Sequence, residues 1–237
     1  MTRILILGGT SNAVELAGLL VSAGYDVVTS LAGVTTKPVV PPGRLRRGGF
    51  GGAEGLRRYV AEAGIAVVVD ATHPFAAQIS RHAAEVQVPV LRLERPAWAV
   101  EANWTLVGSA DEAVAALPSG ARALVTIGRK EVQAFFARSD ISGVARMIEP
   151  VAAPADWNVL LERPPFTVAA ERALMERHGI SHLVSKNAGG AQTFAKIVAA
   201  REKYLPVIMV ERPLKPAVQS FATAGDLAAS LRLTISP

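Results

Sequence analysis

Short runs of apolar residues alternate with segments of helical periodicity along the chain, and this alternation restricts the folds that are possible. Arg3 to Leu7 and Asp26 to Leu31 are two such runs, and the segment between them places Leu16 and Leu20 at helical spacing. Continuous apolar strands separated by helices are typical of parallel sheets that are buried on both faces. The pattern therefore predicts an α/β protein with helices on both faces of a parallel sheet.

The alternation occurs twice, on either side of a segment from Glu94 to Trp104 that contains Pro96 and has no clear period. In the first part we expect strands at residues 66–70 and 89–93, helices at 54–63 and 75–86, and a loop at 33–52. In the second part we expect strands at 104–107, 122–127, 144–148, 182–185 and 207–210, and helices near Glu112, Lys130, Val168 and Thr193. We therefore predict two doubly wound domains, residues 1–97 and 98–237.

Composition excludes several classes of function. The 237 residues include no cysteine, which removes disulfides, thiolate nucleophiles and iron-sulfur clusters, and no metal site is predicted. Redox chemistry would then depend on an organic cofactor. A net charge of +5 favours an anionic partner, but an aromatic content of 5% and scattered basic residues argue against nucleic acid. Because no segment is apolar over the length of a bilayer and no secretory signal is apparent, we expect a soluble cytoplasmic protein without a membrane partner.

The first candidate site is the turn Gly8-Gly9-Thr10-Ser11-Asn12, between the first strand and the first helix. Glycines let the backbone approach a pyrophosphate, and the free N–H groups at a helix N-terminus favour the anion. The Gly-x-Gly-x-x-Gly pattern is incomplete, so a tight turn without a ligand is an equal alternative for this motif alone. We predict that these five residues bind a dinucleotide.

The end of the second strand indicates which dinucleotide would bind. A site for NAD usually carries Asp or Glu there, to hold the ribose 2′-hydroxyl. This strand instead ends in Ser30 and Leu31, and the next segment contains Thr35, Thr36, Lys37, Arg44, Arg46 and Arg47. Since hydroxyls and cations suit a 2′-phosphate, we predict NADPH, with Ser30, Thr35, Thr36 and Arg44 among its contacts. A solvated basic loop is the alternative for any one of the arginines.

The third candidate site is Asp70-Ala71-Thr72-His73-Pro74-Phe75, at the carboxyl end of the third predicted strand. Ligands of open α/β sheets bind at this end of the strands. A structural alternative exists, because Pro74 suits the first turn of a helix that Thr72 or His73 could cap. We predict that Thr72 and His73 contact the cofactor, and that the imidazole is a candidate acid.

A second turn of similar type is Ser185-Lys186-Asn187-Ala188-Gly189-Gly190, which is followed by Thr193. It can hold an anion through backbone N–H groups and Lys186, and its place in the second half predicts a site that faces the first half across a cleft. The alternative is a strand turn with an exposed lysine. In the next helix, Phe194 and Ile197 share one face, from which Lys196 is expected to point away.

Six motifs along the chain resemble the ordered motifs of the precorrin-6A reductase family. Together with Glu211-Arg212-Pro213 they extend the resemblance over nearly the whole chain. Asp70 to Ala76 and Ser185 to Gly190 are the most diagnostic of them. The other four are Ile6 to Ser11, Ser30 to Gly33, Arg95 to Trp98, and Ile127 to Arg129. Two positions depart from the family pattern: Asn12 stands where many members have Glu, and Val34 where many have Arg. The second departure leaves the 2′-phosphate to Arg44, Arg46 or Arg47, or to the hydroxyls of Ser30, Thr35 and Thr36.

The resemblance implies two Rossmann-like domains with NADPH in the cleft between them, and hydride transfer to the tetrapyrrole precorrin-6A to give precorrin-6B. Residues 1–97 would bind NADPH, and residues 98–237 would form the substrate side. The substrate-binding residues expected there are Arg129, Ser185, Lys186, Asn187, Gly189, Gly190 and Thr193. A basic protein suits such a polycarboxylated substrate, and neighbouring enzymes of the corrin pathway are candidate partners. Because nicotinamide supplies only a hydride, a proton donor is also needed, and His73, Lys186 and bound water are the candidates.

Two other functions remain open from the sequence. The same scaffold supports other NADP-dependent oxidoreductases, since a fold does not determine a reaction. The Tyr-x-x-x-Lys pair of short-chain dehydrogenases is absent around Tyr25, Tyr59 and Tyr204, which argues against that group. A dinucleotide-sensing module without catalytic activity is the alternative from another class, and it would bind NADPH without oxidising it.

Overall fold

The computed structural model describes residues 1–33 and 39–236. Its strands and helices follow one another in the order β1 Arg3–Leu7, α1 Ser11–Ser22, β2 Asp26–Leu31, β3 Arg44–Arg47, α2 Ala53–Glu62, β4 Val67–Asp70, α3 Ala77–Ala84, β5 Val90–Leu93, β6 Trp104–Val107, α4 Ala110–Ala115, β7 Arg122–Thr126, α5 Val132–Phe136, β8 Ser142–Met147, β9 Trp157–Leu161, α6 Val168–Arg177, β10 His182–Lys186, α7 Ala195–Glu202, β11 Val207–Val210, β12 Gln219–Phe221 and α8 Ala224–Thr234. The chain divides into two compact units, of which unit 1 contains residues 1–96 and the segment from Pro213 onward, and unit 2 contains residues 97–212.

Unit 1 is built on a six-stranded sheet of order β12-β5-β4-β1-β2-β3, in which the strand pairs are parallel. Alternate residues of β1 enter separate apolar clusters: Ile4 and Ile6 pack with residues of α1 and α8, whereas Leu5 and Leu7 pack with Leu56 of α2. Side chains alternate between the two faces of a strand, so both faces of this sheet are covered by helices.

Unit 2 has a second six-stranded parallel sheet, of order β6-β11-β10-β7-β8-β9. Leu124, Val144 and Leu183 of this sheet pack with Met175 of α6 and Ile197 of α7 in one apolar cluster. Strand order in each sheet reverses once, between β1 and β4 in unit 1 and between β7 and β10 in unit 2. The prediction of two doubly wound parallel-sheet domains is confirmed.

The end of the chain belongs to unit 1, so the predicted second domain, 98–237, was too long. Gln219 of β12 pairs with Leu91 of β5, and Leu227 of α8 packs in the same apolar cluster as Leu16 of α1. β12 is therefore an edge strand of the first sheet, next to β5. Unit 2 is an insertion between two neighbouring strands of unit 1.

Four helices begin at a Ser or Thr whose hydroxyl accepts a hydrogen bond from a backbone N–H three residues later. These N-caps are Thr10, Ser109, Thr167 and Thr223. A capping hydroxyl satisfies one of the unpaired N–H groups in the first helical turn, and its loss costs about 1 kcal/mol. Thr10 thereby determines where the polypeptide leaves the candidate dinucleotide turn and becomes α1.

Three further differences from the predicted elements are apparent. Residues 44–47, expected within a loop, form the edge strand β3, and β9 and the pair β12 and α8 were not predicted. Strand β3 has the sequence Arg-Leu-Arg-Arg, whose charged residues are tolerated because an edge strand faces solvent.

Among the described residues, no helix combines the length and the apolar character that crossing a bilayer requires.

Candidate active site

Two of the predicted motifs of unit 1 meet at the carboxyl ends of β1 and β4, the neighbouring strands at which the strand order reverses. The hydroxyl of Thr10, after β1, donates a hydrogen bond of 2.8 Å to the carbonyl oxygen of Ala71, after β4. Ligands of doubly wound sheets bind at this position, outside the carboxyl ends of the strands. The structure therefore brings the Gly8–Asn12 turn and the Asp70–Phe75 segment together where a ligand is expected.

Gly8 and Gly9 serve different purposes in the turn. A Cβ on Gly8 would lie 2.8 Å from Cγ2 of Thr29, so close packing against β2 requires a glycine. Gly9 has φ +115° and a Cβ there would meet no atom within 4 Å among the described residues. The backbone conformation requires glycine at position 9, and the open space beside it is available to a ligand.

Arg46 of β3 lies beside the carboxyl end of the neighbouring strand β2. Its Nη1 donates to Oγ of Ser30 at 3.2 Å and to the carbonyl oxygen of Gly48 at 2.6 Å, and its guanidinium lies 3.8 Å from the ring centroid of Phe50. These contacts hold the guanidinium at the carboxyl end of β2. This is the position where a nucleotide-binding sheet distinguishes the 2′-hydroxyl from the 2′-phosphate.

Arg44, one of the predicted cofactor contacts, lies elsewhere. It begins β3 and its Nε is 3.4 Å from Oδ1 of Asp26, the first residue of β2, so both residues are at the amino end of their strands. Strand β3 runs parallel to β2 and rises about 3.3 Å per residue. Its first residue, Arg44, therefore lies at the end of the strand opposite to the carboxyl end, where the candidate site is. Arg46 replaces it in the candidate site, and the predicted contacts Thr35 and Thr36 lie outside the described residues.

Asp70 is the buried centre of the Asp70–Phe75 segment. Its Oδ1 accepts hydrogen bonds from the hydroxyl of Thr72 at 2.6 Å and from the backbone N–H of Thr72 at 3.3 Å, and its Oδ2 is 3.2 Å from Nε of Arg92. Burial raises the pKa of Asp70, but hydrogen bonds from Thr72 and Ser80 and the charge of Lys215 outweigh it, so the pKa is lowered. The carboxylate thus holds Thr72 in place.

His73 lies at the exposed end of this segment. Its Nδ1 accepts a hydrogen bond of 3.3 Å from the backbone N–H of Phe75, and the two rings are 5.8 Å apart. In a neutral imidazole that accepts through Nδ1, the proton resides on Nε2. The imidazole is therefore oriented by its neighbours and can present an N–H group.

In unit 2, two predicted motifs also meet at the point of strand reversal. Lys186 ends β10, and its Nζ lies 2.6 Å from Oε1 of Glu131, which follows the Ile127-Gly128-Arg129 motif after β7. Thr126 Oγ1 donates to the carbonyl oxygen of Val184 at 3.1 Å and joins the same two strands. Sequence reasoning did not identify Glu131, although its carboxylate contacts Lys186.

The side chain of Asn187, predicted to bind substrate, bonds to the protein itself. Its Oδ1 accepts from the backbone N–H of Trp98 at 2.8 Å, and its Nδ2 donates to the carbonyl oxygen of Trp98 at 3.1 Å. The indole Nε1 of Trp98 donates to the carbonyl oxygen of Gly190 at 2.9 Å. Asn187 is buried, so its role in this structure is to attach the turn to the segment around Trp98.

The remaining predicted substrate contacts differ in exposure. Arg129 is exposed and Thr193 half-buried, whereas Ser185 is fully buried and donates its hydroxyl to the carbonyl oxygen of Lys186. Because its hydroxyl is inside the protein, Ser185 does not present a side chain to a substrate in this structure. Gly189 and Gly190 have φ of +68° and +79°, which explains the pair of glycines at this point of the turn.

Lys196 of α7, which was expected to point elsewhere than Phe194 and Ile197, does not lie on the surface. Its side chain is buried, with Nζ 5.4 Å from the ring centroid of Trp98. Nearby, Arg146 of β8 and Glu171 of α6 form a buried ion pair with an Nη1 to Oε1 distance of 2.5 Å. Burial lowers the pKa of Lys196 to about 8, Glu171 opposes this shift, and Arg146 adds to it.

Comparisons with known proteins identify relatives that match almost the whole chain. The chain is 46% identical to a precorrin-6A reductase of Rhodococcus erythropolis, over 98% of this chain and 96% of the relative. It is 42% identical to a precorrin-6A reductase of Rhodobacter capsulatus, over 94% and 93% of the two chains. A cobalt-precorrin-6A reductase of Priestia megaterium is 34% identical, over 89% of this chain and 90% of the relative.

The structure and the family model lead to the same assignment. A solved structure titled "CobK precorrin-6A reductase" superimposes with a TM-score of 0.90 at 41% sequence identity, and the alignment covers 98% of this chain and 96% of that chain. The model of the family described as "Precorrin-6x reductase CbiJ/CobK" matches residues 3–232. The chain therefore belongs to the precorrin-6x reductase family.

Proposed function

We propose that this chain is a precorrin-6A reductase that transfers a hydride from NADPH to a double bond of the tetrapyrrole and adds a proton, giving precorrin-6B and NADP⁺. The observation that carries the proposal is similarity along almost the full length to relatives that bear this name. The two candidate sites support it, because each lies at the strand reversal of a doubly wound sheet. A cytoplasmic location, where NADPH is regenerated, is part of the proposal.

We assign the cofactor to unit 1. The pyrophosphate would lie beside Gly9, in the open space where a Cβ would meet no described atom, and near the N-terminus of α1 that Thr10 caps. Arg46, held against Ser30 and Phe50, would bind the 2′-phosphate. Ser11 and Asn12 form the first residues of α1 after the turn, and Thr72 and His73 lie at the adjacent strand end. Bound NADPH would supply the hydride.

We assign a substrate carboxylate to Lys186. Its ammonium group is 2.6 Å from the carboxylate of Glu131, so the protein already accommodates a carboxylate oxygen at that position. The side chain of Glu131 is 37% exposed and can turn into solvent when a substrate carboxylate replaces it. Arg129, exposed in the same loop as Glu131, offers a second cation for a polycarboxylated ligand.

We propose that His73 donates the proton that completes the reduction. In the structure Phe75 N–H donates to its Nδ1, so the neutral ring carries its proton on Nε2. Uptake of a solvent proton at Nδ1 would give the imidazolium, which can donate from Nε2 to the macrocycle and return to the neutral ring. Lys186 is less suited to this role because its ammonium group is already bound to the carboxylate of Glu131. On this assignment, His73→Gln should lower kcat by about 10²–10⁴, the usual contribution of general acid catalysis, and leave KM for the tetrapyrrole nearly unchanged.

The proposal is tested by an anaerobic assay of NADPH oxidation with precorrin-6A, in which the tetrapyrrole product is identified by its mass. We expect NADPH to be oxidised in a one-to-one ratio with precorrin-6B formation, and NADH to be about tenfold less efficient or worse. Binding of NADPH without oxidation would instead indicate a sensor. Oxidation only with substrates other than tetrapyrroles would indicate a different reductase.

The same assay decides which form of the substrate is used. The precorrin-6A reductases named above are more similar to this chain than the Priestia megaterium cobalt-precorrin-6A reductase. We therefore propose the metal-free macrocycle. Parallel assays with precorrin-6A and cobalt-precorrin-6A should give the higher kcat/KM with precorrin-6A, and the reverse order would contradict the proposal.

A further inference from the structure

The chain crosses between the two units twice, and a side chain next to each crossover bonds to the same turn. The first crossover lies between Pro96 and Ala97, and the second between Arg212 and Pro213. Trp98 follows the first crossover, and Arg212 immediately precedes the second. Both contact residues 186–190, which we call the Lys186 turn.

Trp98 is attached to the Lys186 turn by three hydrogen bonds. Its backbone N–H and carbonyl pair with the amide side chain of Asn187, and its Nε1 donates to the carbonyl oxygen of Gly190. The indole ring is buried, 5.6 Å from the ring of Phe194. The position of the turn is thereby coupled to the backbone of the first crossover segment.

Arg212 is attached to the other side of the turn. Its Nε donates to the carbonyl oxygen of Asn187 at 2.9 Å, and its Nη2 donates to the carbonyl oxygen of Ala188 at 3.1 Å. The backbone N–H of Asn187 donates in turn to the carbonyl oxygen of Val210, at the end of β11. A guanidinium group that binds two successive carbonyls fixes their direction as well as their position.

The turn has little stiffness of its own. Gly189 and Gly190 are consecutive residues with positive φ, and glycine is the residue with the greatest backbone freedom. Its own backbone bond from Ala188 N–H to the carbonyl oxygen of Lys186 is therefore supplemented by bonds from outside the turn. Lys186 ends β10, where it pairs with Val210, and the part of the turn that Trp98 and Arg212 hold begins directly after it. The shape of this turn limits the directions open to the four rotatable bonds of the lysine side chain.

We propose that Trp98 and Arg212 are positioning residues for tetrapyrrole reduction: by holding the Lys186 turn from both crossover segments, they aim the Lys186 ammonium at the substrate carboxylate. The inference rests on the proposed role of Lys186. It assigns a function to two residues that are not among the proposed cofactor or substrate contacts.

The test uses conservative variants of the full chain. Trp98→Phe removes the Nε1 bond to Gly190 and keeps an aromatic ring and the backbone pairing with Asn187, and Arg212→Lys removes the two-carbonyl geometry and keeps the charge. Trp104→Phe is the matched tryptophan control, because the buried Nε1 of Trp104 has no hydrogen-bond partner in the described part of the chain. Arg122→Lys is the matched arginine control, because Nε of Arg122 donates to the carbonyl oxygen of His178, which is not in the turn.

Two measurements are made on each variant. Deuterium uptake by peptides that contain residues 186–190 is measured without substrate, and kcat/KM for precorrin-6A is measured in the wild-type and Lys186→Ala backgrounds. Uptake should rise in Trp98→Phe and Arg212→Lys and not in the two controls. In the wild-type background, kcat/KM should fall about twofold to tenfold, the effect of one lost hydrogen bond, whereas in Lys186→Ala it should stay within about twofold. Affinity for NADPH should not change.

Each other result counts against the inference. Unchanged uptake would show that the two side chains do not hold the turn. An equal fall of kcat/KM in both backgrounds would show a general structural effect that does not act through Lys186. If Lys186→Ala alone leaves kcat and KM unchanged, the proposed role of Lys186 fails, and the positioning role fails with it; the uptake measurement, which needs no substrate, still shows whether the turn is held.

Discussion

The ammonium nitrogen of Lys186 lies 2.6 Å from Oε1 of Glu131, although the two residues are 55 positions apart in the chain. They meet because β7 and β10 are neighbours in the sheet, so that the loops after these strands leave the same edge side by side. In the proposed reaction, a carboxylate of the substrate must compete with the carboxylate of Glu131. The strength of this internal contact then contributes to KM.

Glu131→Gln should therefore lower KM for precorrin-6A by about twofold to fivefold, because a partly exposed ion pair of about 0.2–1 kcal/mol no longer competes with the substrate. The value of kcat should stay the same. Lys186→Ala should raise KM by about tenfold or more with kcat nearly preserved, since binding common to the ground and transition states is lost. Steady-state kinetics of the two single variants and the double variant check this. Any effect of Glu131→Gln that persists in Lys186→Ala would contradict the competition.

Arg46→Gln should reduce the preference for NADPH over NADH by about tenfold or more, because a charge-assisted contact with the 2′-phosphate contributes about 1.5–3 kcal/mol. Arg44→Gln is the control, since Arg44 contacts Asp26 at the other end of the same strand and is 67% exposed. The ratio of kcat/KM for the two cofactors is the measurement. An equal loss of preference in both variants would mean that general charge, and not the position of Arg46, selects NADPH.

Gly9→Ala should weaken NADPH binding by more than about tenfold, because the new Cβ would point into the space assigned to the pyrophosphate. Positive φ also strains an alanine at this position, by about 1–3 kcal/mol. Gly120→Ala controls for the strain, since Gly120 has φ +77° and equally open surroundings in unit 2. Titration of each variant with NADPH and thermal unfolding separate the two effects. Similar NADPH affinities of the two alanine variants would remove Gly9 from the cofactor site.

Lys196→Met should stabilise the protein at neutral pH by about 1–3 kcal/mol, because an apolar side chain replaces a buried cation while Arg146 and Glu171 keep their ion pair. The pKa of Lys196 falls from 10.5 to about 8 on folding, so the unfolded chain binds more protons between these values. The free energy of unfolding of the wild type should therefore rise with pH in this window, and the advantage of the variant should disappear. Urea titrations of both proteins at several pH values measure this difference. A difference that does not depend on pH would contradict it.

The parts of the fold that follow from local periodicity could be predicted, and the parts that depend on pairing between distant segments could not. The apolar runs of β1, β2, β4, β7 and β10 identify buried strands, because each needs cover on both faces. The Arg-Leu-Arg-Arg segment of β3 has no such run, since it is an edge strand. Helical spacing at Ala224, Leu227, Ala228 and Leu231 was available for α8. Its place in unit 1, however, depends on the pairing of β12 with β5.

The candidate site shows the same division. Strand-end motifs such as Gly8 to Asn12 and Ser185 to Gly190 could be located because the carboxyl ends of parallel strands share an edge. The direction of a long side chain could not be predicted: the sequence left Arg44, Arg46 and Arg47 open for the 2′-phosphate, and it did not indicate that Lys196 is buried. In both cases the answer depends on partners far away in the sequence: Asp26 for Arg44, and Trp98 for Lys196.

The return of the chain to unit 1 affects the order in which the protein can mature during synthesis. Residues 97–212 form a continuous unit, whose sheet is complete as soon as β11 has left the ribosome. The sheet of unit 1 is incomplete until β12 has been made. Residues that follow α8 also bond to residues near β1 and β2: Thr2 Oγ1 donates to the carbonyl oxygen of Ser236, and Tyr25 Oη donates to that of Ile235. β5, which is made before unit 2, therefore obtains its second neighbour β12 only after unit 2 has been made, and α1 obtains its packing partner α8 later still.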